Sequence, residues 1–293
     1  MLWRMRAQEP GQPNWYLDPL VAAQKRDVHL EWIARNLPPG LRTETVLKTD
    51  LFEEAYGQDE LLFSLPLDAS LKMGCDVSAA TVIRAADGVS DRAFQFINAD
   101  VRWLPLADEC VDVVLSNSTL DHFDSEQEIE ASLCELARVL KPGGVLLVTL
   151  DNPRNPMFFL LRVAVGWTGL SFRLGKTVPL RRLLRILDGA GLEVQSTDWL
   201  IHNPRMLSTL LFLTLRRLLG RRAGPAIQWL LAAFSKFGKL PTRGFTAVFI
   251  AACARKPAQV AAATQGGLSG TMRFSPHTCS VSRQPVNPME SAS

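Results

Sequence analysis

INADVRWLPLADECVDVVLSNSTLDHF (residues 97–123) and, one helix later, ELARVLKPGGVLLVTLDN (135–152) decide the fold of this 293-residue chain. They read as strand, acidic loop, strand, polar loop, helix, tight turn and strand. Val111–Leu115 and Val145–Leu150 are nearly unbroken apolar runs, the pattern of parallel strands covered on both faces. Lys141-Pro-Gly-Gly144 is expected to stop the helix, because Pro cannot continue it and Gly supplies a left-handed turn. Open α/β sheets bind ligands beyond the carboxyl ends of their strands. Asp100, Asn117, Asp121, His122 and Asp151 all fall at such ends.

Outward from this stretch, strands are expected at Glu44–Thr49, Leu71–Val77 and Ala93–Asn98, and two more at Leu192–Ile201 and Phe245–Cys253. Helices are expected at Asp18–Asn36, closed by Pro38-Pro39-Gly40, and at Ser78–Ala86 with Ser78 as its cap. Another runs over Ser125–Leu140, where Ser125 and Glu128 fit a capping box and Ile129, Leu133, Leu136, Ala137 and Leu140 recur at helical spacing. Beyond the fifth strand come an NPRNP loop, an apolar helix over 157–165 and a basic helix, Val178–Ala190, closed by Gly191. About forty residues separate the last two strands, and they read as helical.

The order and separation of these pieces resemble the class I S-adenosylmethionine-dependent methyltransferases, especially the type-11 methyltransferase-domain family. Asn98–Pro105, Val111–His122 and Arg138–Gly144 carry the resemblance, which spans roughly residues 42–200. It implies a Rossmann-like α/β three-layer sandwich with a mostly parallel seven-stranded sheet and an antiparallel last strand. The helical insertion, about 204–241, departs from the family's usual short hairpin. The domain is expected over 41–256, preceded by an arm and helix (1–40) and followed by a disordered tail (257–293). Trp15 or Tyr16 would be lid residues over the cofactor mouth, or simply staples for the first helix.

S-Adenosyl-L-methionine asks for acceptors at its ribose hydroxyls, adenine amine and methionine ammonium. Asp76, with Val77 beside it, suits the ribose; the bland alternative is that Asp76 caps the next helix. Asp100 and the backbone of Val101 suit the adenine edge, unless Asp100 is an ordinary turn residue. Asn117 ends the fourth strand in the same cleft. The family's glycine-rich first loop is missing. Leu47–Gly57 stands in its place, keeping only Gly57, and the resemblance extends to a sub-branch with such a run. Asp50 or Glu54 would then hold the ammonium, with Thr49 as a further polar contact. The competing reading is a scaffold or partner-binding protein that has lost cofactor binding.

His122 and Asp121 lie where the family places groups facing the methyl acceptor. His122 would serve as a general base if the acceptor must lose a proton. Alternatively, His122 packs on Phe123 and Asp121 caps the next helix. Asp151-Asn152 is a second polar pair expected to face the cleft. The sequence contains no cluster of metal-ligand spacing and no P-loop.

The net charge of +3 hides an asymmetry: 12 Lys or Arg but no acid lie between Trp199 and Met289. Such a balance fits an anionic partner such as a membrane surface or a phosphorylated substrate, and equally an arginine-rich surface left by GC-rich coding. Met206–Leu219 and Ala226–Phe237 are apolar stretches with cations at their ends, as in helices that lie in a membrane interface. The acceptor is accordingly expected to be a small molecule or lipid-linked, with an anionic membrane surface meeting 204–241. A helical lid or a dimer contact would use the same leucines. Stacking aromatics are not interleaved with the cations, so nucleic acid is not expected. The N-terminus lacks the apolar core of a signal peptide, and no run is long enough to span a bilayer. A cytoplasmic protein, peripheral at the inner face of a membrane, is the expectation. The five cysteines are scattered and read as buried free thiols.

Overall fold

Seven strands form one sheet in the order β3-β2-β1-β4-β5-β7-β6. In chain order they are β1 (Thr45–Thr49), β2 (Leu71–Asp76), β3 (Phe94–Asn98), β4 (Val111–Asn117), β5 (Leu140–Asp151), β6 (Glu193–Leu200) and β7 (Phe249–Arg255). The computed structural model describes residues 18–57, 60–158 and 175–258. Strands β1 to β5 pair in parallel, and β7 inserts antiparallel between β5 and β6. The expected Rossmann-like sheet with an antiparallel last strand is therefore present. Trp15, Tyr16, most of the 157–165 helix and the tail beyond 258 lie outside the described residues.

Both faces of the sheet are covered, which explains the apolar runs. On one face Leu47, Val114, Leu146 and Val148 pack with α5 (Glu126–Val139) and α6 (Leu180–Gly189). On the other, Val46, Leu115 and Leu147 pack with α1 (Pro19–Asn36) through Trp32 and Ile33, and with the short α2 (Phe52–Tyr56) and α3 (Leu61–Ser64). Capping follows the sequence closely. Ser125 and Glu128 form the full capping box of α5, and Ser78 caps α4 (Ala79–Ala86) by accepting from the Thr81 amide. Asp18 caps α1 and Pro19 opens it, each a favoured residue at its position.

Two expectations need correcting. Lys141–Gly144 is not a turn standing apart from the strand. The α5 helix stops at Val139, the extended backbone begins at Leu140, and Leu140 pairs with Val111 beside an irregularity in β4. Each glycine still has a reason. Gly143 has φ +80°, while a side chain at Gly144 would come within 2.9 Å of the Asp112 carbonyl oxygen. The last strand starts at Phe249 rather than Phe245, because Phe245 belongs to a helical turn.

Between β6 and β7 runs the insertion: α7 (Arg205–Leu219), α8 (Gly224–Ser235) and the single turn α9 (Arg243–Thr246). Phe212, Ala223, Ile227 and Leu231 form its own small core against Leu20 and Val21 of α1. Arg216 adds an ion pair to Asp18 at 2.5 Å. Cys75 and Cys253 are buried free thiols and Cys110 a half-buried one, whereas Cys134 is not free.

Candidate active site

The chain moves one way from β1 to β2 and β3, then returns to place β4 on the opposite side of β1. This reversal opens a crevice beyond the carboxyl ends of β1 and β4, the usual ligand position in such sheets. Three segments converge on it: Thr49–Gly57 after β1, Asp76–Val77 after β2, and Asn117–His122 after β4.

The first segment replaces glycine freedom with a buried ion cluster. Lys48 is fully buried, and its ammonium donates to Glu54 (2.8 Å), Glu53 (3.3 Å) and the Asp50 carbonyl (2.5 Å). Burial alone would drive Lys48 down, but Glu54, Glu53 and Asp50 outweigh it and hold it above the usual lysine range. Glu54 spends its other oxygen on the Leu62 amide (2.7 Å), and Glu53 also binds Lys25 of α1 (2.8 Å). Glu54 is thus a structural partner of an internal ammonium. Removing one member of such a buried pair typically costs about 3–5 kcal/mol.

Asp50 makes the turn itself. Its φ is +68°, a left-handed value that aspartate tolerates better than most residues, and its amide donates to Cys75 (2.7 Å). Its carboxylate accepts from the Phe52 amide at 2.8 Å. The next residue, Leu51, is buried, and its amide donates to Asp76 (2.9 Å). A side chain at Gly74 would meet Leu51 at 2.3 Å, so the glycine this loop lacks is found on the neighbouring strand. Gly57, in contrast, has an extended φ of −86° and merely closes α2.

Asp76 accepts from the Leu51 and Ser78 amides with its two oxygens. Both readings of this residue therefore have support: it anchors the chain entering α4, and its carboxylate borders the crevice. Val77 beside it is 57% exposed. Asp100 does not stand free. Arg102 chelates it with contacts of 2.6 to 3.1 Å and reaches on to Glu128. Val101 is buried, while Trp103 is 51% exposed.

In the fourth-strand loop, Thr149 donates to Asn117 at 2.8 Å and Ser118 takes φ +50°. Asp121 is buried. One of its oxygens accepts from the Ser118 hydroxyl (2.8 Å) and the Asp151 amide (2.7 Å), and the other has no partner. Asp121 thus fixes the loop to the end of β5. His122 is exposed and lies close enough to Asp50 for its positive charge to favour the ionised carboxyl. Gly175 packs directly on the His122 backbone, where a side chain would come within 2.6 Å of its Cα. Sequence reading missed Gly175, whose need arises from a contact fifty residues away. Thr49 is buried and bonded to Thr119 (2.8 Å) and Ser116 (3.2 Å). Asn152 does not face the crevice as expected; its amide donates to Gly244 and Ala247 at the end of the insertion.

Burial first, then Glu53, and to a smaller extent Asp76, push Asp50 up to about 7 against the opposing pull of Lys48 and His122.

Residues 55–148 match the family model described as a methyltransferase domain. The match covers 94 of the 293 residues, from the end of the first loop to the middle of β5. Over 99 residues the chain is 33% identical to the tRNA (carboxymethyluridine(34)-5-O)-methyltransferase of Arabidopsis thaliana, covering 34% of this chain and 23% of that protein. Over 165 residues it is 28% identical to a probable S-adenosylmethionine-dependent methyltransferase of Mycolicibacterium smegmatis, covering 51% and 52%. The chain thus spans about half or less of these curated relatives. A methyltransferase structure from Thermotoga maritima, with a TM-score of 0.52 at 16% identity and coverage of 81% and 92%, shares the fold.

Methyltransferases of this class depend on S-adenosylmethionine. The residues present fit that cofactor in part: Asp76 ends β2 with exposed Val77 alongside, though its two oxygens already accept the Leu51 and Ser78 amides. Asp100 fits less well, since Arg102 already takes both its oxygens.

Proposed function

We propose that this chain transfers a methyl group from S-adenosylmethionine to a small-molecule or lipid-linked acceptor by in-line displacement. The observation that supports the reading is the meeting of three strand-end segments at the strand-order reversal: the Leu51 amide donates to Asp76 (2.9 Å), and Thr49 bonds Thr119 (2.8 Å) in the loop that carries His122. When bound, the cofactor supplies an electrophilic methyl group on a sulfonium. Asp76 would accept the ribose hydroxyls and Asp50 the methionine ammonium, whose charge relieves the repulsion that raises Asp50. The backbone of Val101 and the far side of Asp100 remain for the adenine edge. Thr49, Glu54 and Gly57 act by holding the first segment in shape, and Asn117 and Asp121 by holding the fourth-strand loop. His122, exposed in the loop after β4, would take a proton from an acceptor that must lose one. Much of the acceleration of a displacement at carbon comes from positioning.

A non-catalytic scaffold draws on one observation: the Leu51 amide lies on Asp76 and Arg102 on Asp100, so internal donors already meet these carboxylates. Methyl-labelled S-adenosylmethionine, incubated with the full chain and a cell extract, separates the readings. Label in the organic phase identifies a lipid-linked acceptor, and label in the aqueous phase a small molecule. Label in neither, or labelling unchanged by His122→Ala and Asp76→Asn together, would overturn the proposal.

A further inference from the structure

The insertion carries more apolar surface than its own core consumes. On α7, Ser208 and Phe212 are buried, and Phe212 joins Ala223, Ile227 and Leu231 against α1. A second stripe on α7, formed by Leu207, Leu210, Leu211 and Leu218, remains in solvent, with Leu218 75% exposed. Their positions are three, four and eleven residues on from the first, one continuous face of a helix. Trp229, on α8 between the buried Ile227 and Leu231, is 69% exposed. Leucines in such an array mark an interaction surface rather than scattered surface residues.

Charge selects the partner. From Arg205 to Arg243 the chain has eight Lys or Arg residues and no acid. Arg216 is matched by Asp18, while Arg217, Arg221, Arg222, Lys236 and Lys239 are exposed at the helix ends. A two-fold contact between copies would set like patches face to face and concentrate these cations. Anionic headgroups neutralise them while acyl chains cover the leucines. Among the described residues no helix is long and apolar enough to cross a membrane, so a contact of this kind would lie along the surface.

The place of the insertion in the sheet connects it to the crevice. Strands β5 and β6 are both antiparallel to β7 and hence parallel to each other. The insertion therefore leaves β6 at the same sheet edge that holds Asp50, Asp76 and His122. Its end is tied there by Asn152 and Asn155, which both donate to Ala247 at 2.9 Å.

We infer that the α7–α8 hairpin docks on an anionic lipid surface and that the methyl acceptor is drawn from that surface. The docking rests on the hairpin alone; the acceptor's origin rests also on the methyltransferase reading. Flotation of the full chain with phosphatidylcholine vesicles, with and without phosphatidylglycerol, tests it. The full chain is expected to float with the anionic vesicles at least tenfold more than with phosphatidylcholine alone, and less at high salt. Leu210→Glu with Leu211→Glu, and separately Arg221→Glu with Arg222→Glu, should each reduce that binding about tenfold. Both pairs are exposed, and unchanged thermal melts and S-adenosylhomocysteine affinity would show that fold and crevice persist. Failure of the parent chain to float, or flotation of either variant undiminished from the parent, would overturn the docking. So would sedimentation showing a dimer of the full chain that the leucine variant splits. Docking without label in lipid extracts would overturn only the lipid origin of the acceptor.

Discussion

Asp50 concentrates the electrostatics of the site in one residue. Burial and Glu53 raise it to about 7, so in the folded chain it takes up a proton that the unfolded chain has already released. Below about pH 4 both states are protonated and the residue is neutral in its effect; between about pH 4 and 7 only the unfolded chain has released the proton, so stability falls across that window, and above 7 both states are ionised and the loss is complete. Asp50→Asn is therefore expected to melt above the parent at pH 8, with the advantage shrinking towards pH 4, in thermal unfolding without ligand. An advantage that grows on acidification would contradict this account. Legibility differed sharply among neighbouring residues. Asp76, Ser78 and Asp100 could be located because strand ends and caps are local patterns. The engagement of Asp100 by Arg102, and of Glu54 by Lys48, could not, because side-chain pairing depends on which turn the backbone takes. Gly74 was equally hidden: nothing on β2 announces that Leu51 presses on it.

At the scale of elements, periodicity and capping carried most of the information. The α5 helix and its capping box were readable because each signal lies within one turn and agrees with its neighbours. Ser125→Ala should remove the hydroxyl half of the box and destabilise the chain by about 1 kcal/mol. Chemical denaturation should show this as a lower midpoint at unchanged slope; an unchanged midpoint would mean the cap is idle. The start of β7 was misread by four residues because Phe245 and Thr246 have strand-like side chains. The Arg243–Thr246 turn instead depends on tertiary bonds, as the Asn152 and Asn155 side-chain amides donate to its carbonyl oxygens. The Lys141–Gly144 segment was misread for a similar reason. Its left-handed Gly143 was evident, but the pairing of Leu140 with Val111, with 141–144 bulging out before Val145 meets Val113, is a property of two strands together.

For the whole molecule, the sheet order places the ligand position beyond the paired carboxyl ends of β1 and β4, where the connections leaving them run in opposite directions. The departures from the family pattern are both at that edge. One is the first loop, where a lysine and three acids replace flexible glycines; the other is the insertion, which returns to the end of β5. A loop held by buried charge is rigid in a way that a glycine loop is not, and Asp50 is the acid of that cluster that also senses Asp76 and His122. The account stands on these carboxylates gripping a cationic nucleoside despite the substituted loop. Calorimetric titration of the full chain with S-adenosylhomocysteine at pH 7.5 tests it most directly. Saturable binding, weakened at least tenfold by Asp76→Asn, is the predicted result; absence of binding at millimolar ligand would contradict it.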